Sequence, residues 1–466
     1  MNVKKLLFAL SVLFLTIGLV ACSDSKSSEG KETNEETNEE TNEETNEETN
    51  EEGNEEEGTT LHVAALESAY GADMWEKIAD SYETTNENVK IELTIKKNLE
   101  EVIRPNMQAG EYPDVVLLAT GRPEALTETL MKENGLENIT DIFDQKVSGE
   151  DSTVNEKILD GFTDTLATNP YADGETYLAP MFYSPTGLFY NAGLFEEKGW
   201  DVPKTWDEMW ELGDKASEEG IALFTYPTTG YFDTFIGSML YALGGPDFFN
   251  SAMTYEDGIW ESDKSTEVFE TIEKLASYTE KNTVANANPN DFTKNQQLVL
   301  DNKALFMPNG NWVVDEMKEA PRADNFEWGM TSIPAFEDGG DRYAFTFFEQ
   351  IWVPSAAENK VDAKDFITYM YSDEASSIFL EAGAVQPIEG ITDQLDGQKQ
   401  IFYGIYDDED VLPAMGTFAS TEPVAGVNMG DTLYGTIGSV ISGKITIEEW
   451  RASVEEASDK LREAMN

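Results

Sequence analysis

From Thr59 to Asn466, short apolar runs alternate with amphipathic helical stretches over some 408 residues, more chain than one hydrophobic core normally serves. The alternation is that of an α/β fold, and the length calls for two lobes. Leu61-His-Val-Ala-Ala-Leu66 reads as the first strand. Met74–Thr84 fits a helix with Trp75, Ile78, Ala79 and Tyr82 on one face. Val89–Ile95 alternates apolar and polar residues, as a second strand does. After another helix, Pro113-Asp-Val-Val-Leu-Leu118 reads as a buried strand of the kind parallel sheets require. Further along, Thr205 with Glu208 three residues later predicts a capping box for a helix through Met209 and Leu212.

Ahead of this body, Lys4 and Lys5 precede an apolar run of 15 residues, Leu6–Val20, closed by Leu19-Val20-Ala21-Cys22. The run is short for a membrane span and suits the core of a signal peptide. With Cys22 directly after it, the segment resembles a bacterial lipoprotein signal. That resemblance implies removal of residues 1–21, lipidation of Cys22, and anchoring at the extracellular face of the membrane of a Gram-positive bacterium. Residues 22–58 then carry Thr-Asn-Glu-Glu repeats with almost no apolar content. A helix there would set Glu against Glu at i,i+4 and have no face to bury, so a disordered, self-repelling tether is expected.

Cys22 is the only cysteine and His62 the only histidine. These counts exclude an intramolecular disulfide, a cysteine zinc cluster, a multi-histidine metal site and a histidine-based catalytic triad. No metal and no cofactor are expected. Net charge is −60; the first 58 residues hold 16 acids and 4 bases, so the body alone carries −48. A surface this acidic disfavours nucleic acid and anionic membrane as partners. It reads as adaptation to a saline or alkaline exterior rather than as a lure for a cationic ligand, because a ligand site needs only a few charges.

The opening order of strands, followed by Tyr177-Leu-Ala-Pro-Met181, Gly187-Leu-Phe-Tyr-Asn191, Leu194-Phe-Glu-Glu-Lys-Gly199, Val202-Pro-Lys-Thr-Trp-Asp-Glu208, Ala304-Leu-Phe-Met307 and Asn309-Gly-Asn-Trp312, resembles the solute-binding proteins of carbohydrate ABC importers. These form the maltose-binding-protein-like group, bacterial solute-binding family 1, and the resemblance spans roughly residues 60–466. It implies a two-lobed periplasmic-binding-protein-like α/β fold, each lobe a mixed β-sheet flanked by helices, joined by two or three hinge crossings. Crossings are expected near Leu178, Phe306–Pro308 and Val353–Ala356. The lobes would then be 59–178 with 309–355, and 179–308 with 356–466. The implied role is capture of a sugar or oligosaccharide for delivery to permease subunits by a monomeric binding protein, with no catalysis.

A sugar offers flat C–H faces and a rim of hydroxyls, so its cleft needs aromatic plates and polar side chains around them. Trp312 leads the candidates: Gly310 permits close approach, and the family presents an aromatic there, with Asn309 in the same motif. Tyr231 and Phe232 occupy a Pro- and Gly-marked loop before a helix, where the family carries an aromatic pair. The neighbouring Asp233 reads instead as a charge complementing the helix dipole. Glu67 and Ser68 follow the first strand, and Thr120 and Arg122 follow Leu118, at the carboxyl ends where open sheets bind ligands. Tyr183 and Ser184 follow the first crossing. Glu349 stands among Phe347, Phe348 and Ile351, a charge in apolar company that needs a partner or a ligand. Asp431 and Tyr434 lie where the family often offers a late aromatic, although Leu433 takes the nearest stacking place.

A secreted glycoside hydrolase would also use aromatics and carboxylates, but no segment marks a catalytic pair among 91 acids. An esterase lacks its Gly-x-Ser-x-Gly, and an adhesin would show repeats or all-β modules. A binding protein for a peptide or another small solute stays open on the residues alone.

Overall fold

The computed structural model describes residues 58–163 and 165–465. The expected leader, Cys22 and the repeat segment through residue 57 lie outside the described residues. Within the compact unit Glu56–Asn466, nine strands among the described residues join in one mixed sheet. They are β1 (Thr59–Leu66), β2 (Val89–Lys96), β3 (Val115–Leu117), β4 (Ala179–Asn191), β5 (Ala222–Phe224), β6 (Ala304–Gly310), β7 (Trp328–Thr331), β8 (Arg342–Trp352) and β9 (Val411–Ala414). The order is β2-β1-β3-β8-β4-β6-β5, with β7 paired to β4 and β9 to β8.

The local expectations from sequence are met closely. β1 pairs in parallel with β2 and β3, as its buried Leu61, Val63 and Ala65 require. The helix Asp73–Thr85 buries Met74, Trp75, Ile78, Ala79 and Tyr82, the face set by its apolar spacing. Thr205 accepts from the Glu208 backbone N–H while the Glu208 side chain accepts from that of Thr205, so the capping box opens the helix Trp206–Glu218.

Two principal cores sit on either side of the middle of this sheet. One gathers Leu61, Val63, Trp75, Ile78, Val115 and Leu117 with Phe366, Ile367 and Phe379. The other gathers Leu188, Trp206, Phe224, Phe235, Leu305, Phe306 and Trp450. Two long strands belong to both. β4 gives Ala179, Met181 and Phe182 to the first core and Leu188 to the second. β8 gives Tyr343 and Phe345 to the second and Ile351 to the first. They run antiparallel, with Phe182 opposite Glu349 and Ser184 opposite Phe347. Bending at the middle of this pair requires few backbone changes, which is how a two-lobed fold hinges.

The second and third crossings differ from those expected. β6 does not pass between cores: Leu305 and Phe306 pack in the second, and Ala304 and Met307 pack beside Phe189 on the same side. β6 is buried along its whole length, and such a strand carries the same apolar signature as a crossing segment. The passage is β8 itself rather than Val353–Ala356. Consequently Val313, Trp328 and Met330 pack with the second half of β4, while 357–391 contributes Ala357, Ala363, Phe366 and Phe379 to the first core. The chain returns near Phe402 and Tyr403, which face different cores.

Candidate functional site

The carboxyl-end loops of the first part and the start of the helix Phe232–Met253 of the second enclose a cavity of about 550 Å³. Thr120 and Gln350 form one wall; Asp233, Phe249 and Tyr434 form part of the other. Gln350 is fully buried and fixes the first wall. Its side-chain oxygen accepts from the Thr120 N–H at 3.2 Å, and its amide donates to the Thr120 hydroxyl and the Ala167 carbonyl, each at 3.2 Å.

Where β8 crosses, Phe347 lines this cavity and stays 44 % exposed, although it sits mid-strand between two cores. An aromatic ring left open at that place is a surface for an apolar face. Trp312 packs on it at 5.7 Å between centroids, and Tyr231 lies 6.4 Å beyond. The indole N–H donates to the Tyr231 hydroxyl at 3.2 Å, which fixes both rings.

Glu349 belongs to a polar group beside this aromatic step. Its charge acts on the phenols of Tyr70 and Tyr403, and the Ser184 hydroxyl lies against both. Asn311 donates to the Tyr403 hydroxyl at 3.1 Å. Burial pushes the Glu349 carboxyl up to about 7, with Arg122 pulling the other way. Burial also raises Asp233, to about 6, against the backbone N–H of Thr234, which donates to it at 2.6 Å. Two acids held partly neutral beside exposed rings can accept hydrogen bonds from hydroxyls, or donate one, without a strong field around them. Among the described residues no cluster of His, Cys, Asp and Glu could hold a metal ion.

The sequence model of the bacterial extracellular solute-binding protein family matches residues 77–391. The chain belongs to that family. The solute-binding protein is 25% identical over 463 residues to the diacetylchitobiose-binding protein NgcE of Streptomyces coelicolor, covering 95% of this chain and 92% of that one. It is also 25% identical over 391 residues to the maltodextrin-binding protein MdxE of Bacillus subtilis, covering 81% and 79%. The structure of the solute receptor AcbH, described as preferring β-D-galactopyranose, superposes with a TM-score of 0.66 at 19% identity, over 87% of this chain and 100% of that one. Apo RafE of Streptococcus pneumoniae superposes with a TM-score of 0.64 at 20% identity, over 87% and 98%. The fold is therefore that of the solute receptors. These relatives are binding proteins rather than enzymes, and no described helix of this one is long and apolar enough to cross a membrane.

Several residues that the sequence put forward for the solute-binding protein's cleft sit elsewhere. Phe232 is fully buried, edge-on to Tyr226 at 4.9 Å and Phe235 at 5.5 Å, because the first residue of its helix turns into the core. Tyr183 is buried against Phe162 and Tyr403, at 5.3 and 5.0 Å, and burial raises its phenol strongly. Asn309 is buried in β6, its side-chain oxygen accepting from the Gly310 N–H at 2.9 Å. Arg122 lines a neighbouring cavity but is committed to the buried Glu100 through two hydrogen bonds of 3.0 and 2.9 Å. Glu67 pairs with Lys97 at 3.7 Å, and Ser68 makes the turn that leads to Tyr70.

Thr120, Asp431 and Tyr434 line the cavity, while Tyr231, Trp312, Ser184 and Glu349 stand beside it as described. Leu433 is core, which leaves Tyr434 to face the opening and pack on Phe418 at 6.2 Å. Sequence reasoning passed over Tyr70, Asp233, Phe347, Tyr403 and Phe418. The first lies just past the end of β1, two residues beyond Ser68. Phe347 shares a strand face with Glu349, and that alternation was visible.

Proposed function

We propose that this solute-binding protein captures a sugar or oligosaccharide between its lobes and hands it to the permease of an ABC importer. The observation that carries the reading is the exposed Phe347 ring on the crossing strand, with Trp312 and Tyr231 behind it and the Glu349–Ser184–Tyr70–Tyr403 group alongside. Stacking planes ringed by hydroxyls and desolvated acids match a pyranose, which has an apolar face and a polar rim. The ligands for which NgcE and MdxE are named, diacetylchitobiose and maltodextrin, agree with this reading. The binding residues we assign are Phe347, Trp312, Tyr231, Tyr434, Asp233, Glu349, Thr120 and Asp431.

The lobes in this reading are 59–185 with 346–403, and 186–345 with the chain from Ile405 on. The monomer closes about β4 and β8, and in this reading a lipid on Cys22 keeps it at the extracellular face of the cell membrane.

The test is a thermal-shift screen of the chain beginning at Ser23 against mono- and oligosaccharides, with product analysis on each hit. A ligand at 100 times its Kd adds about 2.7 kcal/mol of stability, which is readily seen. A shift with an uncleaved sugar supports capture. Cleavage of the sugar would make the protein a hydrolase, and silence across the panel would turn attention to peptides.

A further inference from the structure

The cavity beside Phe347 does not end at Phe418. A second cavity of about 560 Å³ shares with it the walls made by Gly121, Phe249, Met253 and Phe418, so the two adjoin. The extension runs between the helix Leu126–Lys132 and the loop Thr417–Glu422. These belong to opposite cores: Leu126 and Leu130 pack beside β1 and β3, whereas the loop is tied to the last helix by the Glu422 N–H, which donates to the Ala464 carbonyl at 3.2 Å.

Each cavity by itself falls within the roughly 300–1,000 Å³ of single small-molecule sites. A site for one or two sugar rings is complete without the extension. The extension nevertheless has the chemistry of a sugar subsite. Met131 and Met253 give it apolar walls, and Glu128 reaches in with one carboxylate oxygen on the Gly121 N–H. The other Glu128 oxygen is buried with no hydrogen-bond partner among the described residues; a buried acceptor left unmade costs stability, which a turn of this side chain into the extension, onto a ligand hydroxyl, would recover. Across the extension Lys132 reaches Glu422 at 2.8 Å, joining the two walls. Both side chains are mostly exposed, so the pair is weak enough to part for a chain end.

Resting on the sugar-binding reading above, we infer that the ligand is a linear oligosaccharide of three or more rings, its first rings against Phe347 and the remainder in the extension beside Glu128 and Met131. Two linear β-1,4 N-acetylglucosamine and α-1,4 glucose series, each from one to six rings, are the probes. Titration calorimetry on the chain beginning at Ser23 gives the ratio of affinities for four rings over two. In the series that binds, this ratio is expected to be at least tenfold. Met131→Trp, which fills the extension, and Glu128→Gln, which removes its acceptor charge, should both bring the ratio towards one. A disaccharide bound as tightly as a tetrasaccharide by the native chain overturns the inference and leaves sugar capture standing. A ratio that neither substitution alters overturns it too. Binding of no sugar in either series removes both the inference and the reading beneath it.

Discussion

The Trp312 indole donates to the Tyr231 hydroxyl at 3.2 Å and folds back over Gly310, where a Cβ would stand 2.1 Å from one of its ring carbons. Glycine is thus a steric requirement for this ring position. Gly310→Ala should expel the indole from its place between Tyr231 and Phe347 and weaken sugar binding at least tenfold. Tyr231→Phe removes only the acceptor, at a cost of about 1 kcal/mol, or about fivefold in affinity. Calorimetry on both variants distinguishes them; equal affinities for native and Gly310→Ala chains would take Trp312 out of the site.

Arg122 offers a contrasting expectation, of stability. Glu100 is 1 % exposed, and Arg122 is its charge partner at 2.9 Å. Arg122→Ala leaves a carboxylate buried without compensation, which should cost about 3 kcal/mol in a urea titration. Double substitution of Arg122→Met with Glu100→Leu should recover most of that loss. If Arg122→Ala unfolded at the native midpoint, Glu100 would have to be solvated some other way.

Gly416 shapes the wall that the cavity and its extension share. Its φ is +123°, and a Cβ would fall 2.8 Å from the Phe249 ring. Gly416→Ala therefore combines backbone strain with a clash, worth about 2 kcal/mol. The expected result is a lowered melting temperature together with weaker binding, since Phe249 must move out of the cavity wall. A variant with native stability would mean that the loop relaxes freely.

How far the sequence could be read depended on whether a signal was local. The buried face of Asp73–Thr85 and the Thr205–Glu208 capping box follow from spacing over one or two turns, and both appear as expected. Phe306–Pro308 shows the limit: burial on both faces looks the same whether a strand crosses between lobes or stays inside one, and only the partners decide. Phe232 turns into the core, and Arg122 lines the second cavity with its guanidinium already engaged. Glu100, which claims Arg122, lies 22 residues away on the helix Leu99–Gln108, whereas Arg122 is in a loop, and nothing in either segment announces the pair. Asp233 is a first-turn helix acid, as read, and also lines the cavity; the second property depends on residues distant in sequence, such as Tyr434.

Glu349 gives the pH dependence. Its folded carboxyl titrates at about 7 against an ordinary 4.5, chiefly because burial disfavours the charged form. Between those two values the folded chain holds a proton that the unfolded chain has released, so stability falls as pH rises through this window and is level above it. The full cost is on the order of 3 kcal/mol. Glu349→Gln is uncharged at every pH and close in shape. It should match the native chain near pH 4.5 and exceed it at pH 8 by on the order of 2–3 kcal/mol in urea unfolding. Sugar binding should move the other way, because the amide replaces one acceptor oxygen near the Tyr70 and Tyr403 phenols with a donor. A variant no more stable than native at pH 8 would show that Arg122, or solvent, already compensates the charge.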